Sequence, residues 1–402
     1  MTRPIPSLLK SVTALCAGLA LSACVSSAGQ RVAYDARDIT PEMLLNSSPL
    51  AEGAELADLS GIDMLQMTPE MVAFVDGYVD DGLSLHAKMQ RLLFAVMGEG
   101  NFDLIYDDTT RTASGTFEAH HGNCLSFTNM FVAMARHLGL DAHFQEVEIP
   151  PDWSSSGAAF LLSQHVNVFV DFKHYSPRVV DFNISYEPGI TYDFNIIYDR
   201  RVISDERARA HYFNNIGVEY MLLGGDTVQA LSNYRESLTA DPTFSPAWIN
   251  LGILHRRDGY PEFAEAAYLR ALELAPSNLV AMSNLASLYE AEGRAQQAEY
   301  YRRQVRLHRM RNPYYRAQLA QEDVIAGDYA SARSHLRYAI RHRKDEDRFY
   351  FLMGLSYALS GDQVSARDWM NQAAKLAEEY GDGQRYHHKL ELLMNPSAAA
   401  DR

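Results

Sequence analysis

Cys124 lies in the stretch HHGNCLSFTNMFVAMARHLGLDA, which covers residues 120–142. Apolar side chains recur at helical spacing over residues 125–138, and Gly139 follows as a helix C-cap. The pattern therefore predicts an amphipathic helix that begins near Asn123 or Cys124. A thiol at that end of a helix is favoured as the thiolate by the helix dipole.

The residues around the thiol add features that a nucleophilic site needs. The first backbone N–H groups of a helix have no partner within the helix and can receive an oxyanion. Gly122 allows a substrate to approach the backbone closely. We expect His121, Gly122 and Asn123 to lie in a substrate cleft beside the nucleophile.

A thiolate nucleophile also needs a base and a group that orients the base. The run HVNVFVDF alternates, so His165 and Asn167 share one face of a predicted strand. The run RVVDFNISY places Asp181 on the polar face of a second strand, and KHYSP between the runs is a turn signal. If the two runs pair as a hairpin, His165 and Asp181 lie side by side. Asn167 is then a further cleft candidate.

These motifs resemble the transglutaminase-like superfamily of papain-type thiol enzymes. The shared pattern is a Gly-x-Cys helix start, a helix ending in Leu-Gly-Leu-x-Ala, a His that opens a strand and an Asp on the next strand; it covers about residues 85–190. The resemblance implies an α+β fold without a cofactor. It also implies Cys124 as nucleophile, His165 as general base and then acid, and Asp181 as orienter. The family often has the motif His-x-Trp-x-Glu-Val, whereas this chain has His-Val-Asn-Val-Phe-Val at residues 165–170. The departure affects the expected geometry of the substrate groove and not the three residues of the triad.

Two alternatives stay open for these residues. In the first alternative, Cys124 is a buried core residue and His165 is a strand histidine whose ring is hydrogen-bonded. A metal site is the second, because His120 and His121 lie near Cys124 and further histidines are available. The metal alternative lacks a second cysteine and any paired ligand spacing such as HExxH.

The second half of the chain repeats itself every 34 residues. Five glycines mark this period: Gly225, Gly259, Gly293, Gly327 and Gly361. One complete unit, AWINLGILHRRDGYPEFAEAAYLRALELAP, covers residues 247–276 and resembles the tetratricopeptide repeat at nearly every signature position. We expect about five repeats over residues 205–380, forming an all-α superhelix. Such a superhelix presents a concave surface to a peptide or protein partner.

The N-terminus predicts export and lipidation. Two basic residues precede an apolar run, as in a signal peptide, and Leu-Ser-Ala-Cys at residues 21–24 resembles the bacterial lipobox. Cys24 would then carry lipid on a mature chain that faces the periplasm, and Val25 after it favours the outer membrane. The predicted parts are a signal peptide, a lipidated tether, a thiol-hydrolase domain, the repeats and a tail: residues 1–23, 24–62, 63–204, 205–380 and 381–402.

The net charge and the cysteine count limit the classes of function further. The 402 residues carry a formal net charge of −15, which disfavours nucleic acid and anionic lipid as general partners. After loss of the signal peptide and lipidation of Cys24, Cys124 is the one remaining thiol of three cysteines. We expect a thiol enzyme that cleaves or transfers amide bonds of a peptide or protein recruited by the repeats. The alternative is a non-catalytic repeat scaffold with a vestigial enzyme domain.

Overall fold

The structure, a computed structural model, describes most of the chain. Described are residues 35–98, 102–147, 155–156, 159–160, 165–173, 176–182, 189–190 and 200–378. The predicted signal peptide, the lipidation site at Cys24 and the C-terminal tail lie outside these residues. Within them, no helix is both long and apolar enough to cross a membrane.

The first part of the described chain mixes helices and strands. Its helices are α1 Pro41–Leu45, α2 Pro69–Tyr78, α3 Leu85–Met97, α4 Ala113–Ala119 and α5 Cys124–His137, with 3-10 turns at Ala36–Asp38 and Pro49–Ala51. Its strands are β1 Ile105–Tyr106, β2 His121–Gly122, β3 Asp141–Val147, β4 Ser155–Ser156, β5 Ala159–Phe160, β6 His165–Asp171, β7 Arg178–Asp181, β8 Gly189–Ile190 and β9 Arg200–Ile203. This part is the α+β domain that the sequence predicts.

The main sheet is antiparallel and has the order β8-β7-β6-β3-β9. Strand β6 lies in its centre, paired with β3 on one side and β7 on the other. The alternate residues Val166, Val168 and Val170 are fully buried in the domain core. Helix α5 packs on β6, where the Thr128 hydroxyl donates to the Val166 carbonyl at 3.2 Å. The sheet therefore fixes the long axis of the helix that begins at Cys124.

The second part of the described chain is a series of helical hairpins. Its helices are α6 Asp205–Glu219, α7 Thr227–Ala240, α8 Ser245–Arg257, α9 Pro261–Leu274, α10 Leu279–Ala291, α11 Ala295–Arg309, α12 Pro313–Ala326, α13 Tyr329–His342, α14 Asp347–Leu359 and α15 Gln363–Glu378. Each even-numbered helix packs against the odd-numbered helix that follows it. The predicted fold class, an α+β domain followed by all-α repeats, is confirmed.

Small residues explain why the hairpins close. The five periodic glycines all have left-handed backbone conformations, with φ between 62° and 89°, in the turns between paired helices. Gly252 of α8 faces the ring of Tyr268 in α9, and a Cβ there would lie 2.5 Å from a ring carbon. The small residue on one helix and the large ring on its partner therefore hold the two helices close together.

Two regions are more ordered than the sequence pattern indicates. Residues 102–120, which are polar and show no regular sequence pattern, contain β1 and α4, whose first turn is capped by the Thr112 hydroxyl accepting from Gly115 N–H at 3.1 Å. Part of the predicted tether, residues 35–57, packs against the repeats. Its apolar side chains Ile39, Leu44 and Leu50 are buried in the same core cluster as α7 to α10. This segment is therefore a strap on the repeats.

Candidate active site

Cys124 is the first residue of α5 and is partly exposed. Asn123 immediately before it is the N-cap, and its Oδ1 accepts from the Ser126 N–H at 3.0 Å. Within the described residues, the backbone N–H groups of Cys124 and Leu125 have no acceptor. The helix therefore presents a thiol and two free donors at its positive end, where developing negative charge is stabilised.

Gly122 has a different neighbour from the one that the sequence suggests. A Cβ at this position would lie 2.5 Å from Cβ and 3.0 Å from Oγ of Ser126, one turn into α5. The missing side chain therefore makes room for the helix itself, not for a substrate. Ser126 is buried and bonds to the Thr109 carbonyl at 3.1 Å and to Arg111 N–H at 2.8 Å. Gly122 thus lets the first turn of α5 pack against the preceding loop.

His165 is the first residue of β6, opposite Val147 of β3. Its side chain is only 8% exposed, and its Nε2 lies 2.6 Å from Oδ1 of Asp181 on β7. The register that pairs Val168 with Val180 places Asp181 opposite Asn167, so Asp181 reaches His165 diagonally. The predicted hairpin thus brings the proposed base and orienter together.

Asn167 is fully buried and supports the orienter instead of lining an open cleft. Its Nδ2 donates to Oδ2 of Asp181 at 3.0 Å, while His165 occupies Oδ1. Each carboxylate oxygen therefore has a side-chain donor. Holding both oxygens fixes the carboxylate plane, and with it the rotation of the imidazole ring.

The environment of His165 favours the protonated ring. Burial by itself lowers its pKa, but hydrogen bonds with Asp181 and Cys124, and the negative charges of both, outweigh burial. Together they raise the pKa of His165 from 6.5 to about 10. Because Asp181 holds Nε2, Nδ1 is the ring nitrogen left to exchange a proton with the thiol of Cys124. An imidazolium beside a thiolate is the ion pair used by cysteine nucleophiles.

Tyr106 is a residue near Cys124 that no sequence pattern indicates. Strand β1 pairs with β2, so Tyr106 lies opposite Gly122. The side chain of Tyr106 is exposed at its surface, and the burial of its remaining part, followed by the negative charge of nearby Cys124, raises its pKa. His121 is also partly exposed, and its Nδ1 lies 3.9 Å from Oδ2 of Asp107. No local periodicity marks Tyr106, because β1 has only two residues.

The two histidines before Cys124 have different surroundings. His120 caps α4 with a left-handed φ of 58° and stacks on Phe102 at 4.1 Å between ring centroids. His121 instead lies at the cleft. In the part of the chain that the structure describes, no group of three His, Cys, Asp or Glu side chains is arranged to hold a metal ion.

Asn123 is less accessible than the sequence suggests. It is 8% exposed, and both ends of its amide are engaged, since its Nδ2 donates to the Thr110 hydroxyl at 2.8 Å while its Oδ1 caps α5. Its visible role is to fix the helix start. Of the four predicted cleft residues, His121 is therefore the one whose side chain is partly open to the cleft.

Comparisons with known proteins agree with this arrangement. The family model of the transglutaminase-like superfamily matches residues 73–174, which include Cys124 and His165; Asp181 lies just beyond. The tetratricopeptide repeat model matches residues 245–278, which correspond to the hairpin of α8 and α9. A search of curated proteins finds no match.

Solved structures that are similar to this chain share low sequence identity with it. A MamA protein is 20% identical over 43% of this chain and 94% of its own, with a TM-score of 0.24. PilF of Pseudomonas aeruginosa is 18% identical over 47% of this chain and 94% of its own, with a TM-score of 0.25. These values say nothing about function. The family matches show that this chain combines a transglutaminase-like core domain with a tetratricopeptide repeat.

Proposed function

We propose that this protein is a thiol enzyme that cleaves or transfers amide bonds through a thioester on Cys124. The observation that carries the proposal is the contact of 2.6 Å between His165 and Asp181, on a histidine whose pKa is also raised by the thiol of Cys124 at the start of α5. A structural histidine needs no such pairing with both a carboxylate and a partly exposed thiol.

The reaction follows from the positions of these groups. The Cys124 sulfur attacks the amide carbon, and the carbonyl oxygen becomes an oxyanion beside the free N–H groups of Cys124 and Leu125. The imidazolium of His165 gives its proton to the leaving amine as the C–N bond breaks. His165 then takes a proton from water, whose oxygen attacks the thioester. The C–S bond breaks, the acid leaves, and the thiolate of Cys124 beside protonated His165 is restored. An amine in place of water gives transfer; we favour hydrolysis, because transfer needs a bound amine that outcompetes water.

The remaining parts of the chain suggest where this chemistry takes place. The repeats offer surfaces on which a protein or peptide substrate is recruited. The lipobox at residues 21–24 supports anchoring through lipidated Cys24, on the periplasmic side of the outer membrane. Labelling of cells with a palmitate analogue tests the anchor: the wild type should carry the label and Cys24→Ala should not.

The test of the active site is the alkylation of Cys124 by iodoacetamide, followed by intact mass from about pH 5 to about pH 9 on protein with Cys24→Ala. Wild type should react rapidly at the acidic end, because His165 holds the thiol as a thiolate. In His165→Ala, the alkylation rate at this pH should fall by at least about tenfold. Asp181→Asn should show an intermediate loss, since Asn167 and the strand still restrain the ring.

His143→Ala is the matched control. His143 also lies in the sheet, on β3, and pairs with a carboxylate, Asp141, at 2.9 Å, but it is well exposed. It should leave the alkylation rate unchanged. A wild-type thiol that reacts slowly and independently of His165 would contradict the enzyme proposal. It would favour the alternative, a repeat scaffold with a vestigial domain, in which Cys124→Ala has no consequence.

A further inference from the structure

A carboxylate from the repeats reaches the loop beside the nucleophile. Glu219 is the last residue of α6, the first helix of the repeats, and its Oε1 accepts the backbone N–H of Thr110 at 2.7 Å. The two residues are 109 positions apart in the chain. Thr110 is buried and Glu219 is half-buried, so the bond is partly shielded from water. The contact is a direct tie between the repeats and the enzyme domain.

The tie continues to the nucleophile through two more hydrogen bonds. The Thr110 hydroxyl accepts from Asn123 Nδ2 at 2.8 Å, and Asn123 Oδ1 caps the first turn of α5 through the Ser126 N–H at 3.0 Å. The backbone is tied as well, since Asn123 N–H donates to the Thr109 carbonyl at 3.2 Å. Cys124 is therefore held between a cap and a loop that both depend on Thr110.

The partly buried position of Glu219 disfavours the charged form of its carboxyl group. Burial raises the pKa of its carboxyl, and the hydrogen bonds to Thr110 and the charge of Arg111 oppose that rise. No Lys, Arg or His of the described residues forms an ion pair with it within 4.0 Å. The Thr110 N–H is thus its main visible partner, and a carboxylate makes a stronger acceptor than a neutral group.

An irregularity in the helix follows Glu219 directly. Residues Tyr220–Gly224 form a π-helical turn. In the first repeat the small residue and the large ring that it contacts are Gly217 and Tyr234, which are 17 positions apart; Gly252 and Tyr268 of the next repeat are 16 apart. The turn absorbs this one extra residue. Such insertions shift the phase of a helix and often occur at functional sites.

We propose that Glu219 is a positioning residue for Cys124, acting through Thr110 and Asn123 so that the first repeat sets the geometry of the nucleophile. The inference rests on the proposed thiol chemistry and adds the repeats to it as part of the active-site support. A substrate or partner that moves the end of α6 then changes the reactivity of the thiol.

The experiment compares Glu219→Ala with Glu219→Gln in the mature chain carrying Cys24→Ala. Alanine removes the acceptor for Thr110 N–H, whereas glutamine keeps an oxygen at the same position. Glu219→Ala should lower the iodoacetamide alkylation rate of Cys124 by about tenfold at neutral pH, because small displacements of a reacting group have large effects on rate. Glu219→Gln should restore most of that rate.

Glu236→Ala is the control for a merely structural role. Glu236 of α7 accepts from Arg209 at 2.7 Å, and Arg209 in turn bonds the carbonyls of Leu59, Ser60 and Ile62 in the segment before α2. This carboxylate also stabilises the junction but has no contact with Thr110. Glu236→Ala should lower the melting temperature without changing the alkylation rate of the folded protein.

The results separate this inference from the proposed function. A Glu219→Ala protein that folds and alkylates at the wild-type rate would overturn the positioning role. If Glu219→Ala does not fold, Thr110→Ala, which removes the hydroxyl link to Asn123, should show the same loss of rate, and a wild-type rate there would overturn the inference. Alkylation of the wild type that does not depend on His165 would count against the enzyme chemistry alone.

Discussion

At the scale of single residues, two opposing effects act on the charge of the His165 ring. It is buried, which disfavours a charged ring, yet Asp181 and Cys124 supply enough negative charge to keep it protonated. Asn167 completes the arrangement by holding the second carboxylate oxygen. The base is thus defined by partners on one neighbouring strand and one helix end.

This raised pKa predicts how stability changes with pH. The pKa of His165 rises from 6.5 to about 10 on folding, so the folded state binds more protons than the unfolded state between these values. The stabilisation from the protonated ring is therefore complete below pH 6.5 and is lost as pH rises towards about 10. Urea unfolding at several pH values, with Cys124→Ser in both proteins so that no thiol titrates, should show the free energy of unfolding falling faster above pH 6.5 with His165 present than with His165→Gln.

The serine is needed because the proton that His165 gains on folding would otherwise be offset by the proton that Cys124 loses in forming the ion pair, whereas Asp181 still raises the pKa of the ring. The difference in unfolding free energy between the two should shrink steadily as pH rises through the window. A difference that stays constant with pH would mean that His165 is neutral in the folded Cys124→Ser protein and that Asp181 does not raise the pKa of the ring.

At the scale of elements, the start of α5 depends on close packing between a loop and a helix turn. Gly122 precedes the helix and touches Ser126, which binds the Thr109 carbonyl and Arg111 N–H. The hydrogen bonds of Asn123 and Ser126 hold the helix end in place. The geometry of the thiol is therefore decided by one turn of helix and the loop against it.

Gly122→Ala should destabilise the protein by about 1–3 kcal/mol, because the added Cβ lies 2.5 Å from Cβ of Ser126 and has no flexible side chain to displace. Its alkylation rate at Cys124 should fall as well, since the helix start must shift. The measurement is the urea midpoint together with the iodoacetamide rate.

Gly77→Ala is the matched control for the glycine substitution. Gly77 is exposed in α2, and an added Cβ there meets no atom within 4 Å. Alanine at this position should stabilise the helix by about 0.4–1 kcal/mol through the entropy of the unfolded chain. Equal unfolding free energies for the two variants would show that the space beside Gly122 can relax.

At the scale of the whole molecule, the transglutaminase-like domain and the first repeat share a core. Ala208, Tyr212 and Phe213 of α6 are buried in the same cluster as the sheet and α5. Polar contacts add to the junction, since Arg136 binds both carboxylate oxygens of Asp205 at 2.6 and 2.8 Å. His211 and Glu146 meet at 2.7 Å. Helix α6 therefore belongs to both parts.

Truncation tests this shared core. A chain ending at Ser204 removes α6 and exposes the apolar surface that it covers, so it should be insoluble or unfold at a much lower temperature than the full chain. A chain ending at Arg311 should keep the fold of the enzyme domain and its alkylation rate, because α12 to α14 contribute to a separate buried cluster. Circular dichroism melting and the iodoacetamide rate measure both outcomes. Independent folding of the shorter chain would show that α6 is dispensable for the domain.

The sequence predicted much of the fold because its strongest signals are local. A repeat of 34 residues with glycine in each turn predicts the hairpins, since each glycine position requires a left-handed backbone. The strands with His165 and Asp181 follow from alternation over short runs. Strand β1 and helix α4 escaped prediction because they are short and carry few apolar residues. The strap over residues 35–57 escaped for a related reason, as its apolar side chains gain burial only from α7 to α10.

The sequence by itself determined most of the longer elements and the three residues proposed for chemistry, because helix caps, strand alternation and the repeat period act between near neighbours in the chain. Only the tertiary structure decided which groups support those residues. The approach of Glu219 to Thr110 spans 109 positions and depends on the packing of α6 against the sheet. The same holds for the role of Gly122, whose neighbour is set by the angle of α5. Contacts of this kind are selected by the complementary shapes of whole elements, and no pattern within a single element records them.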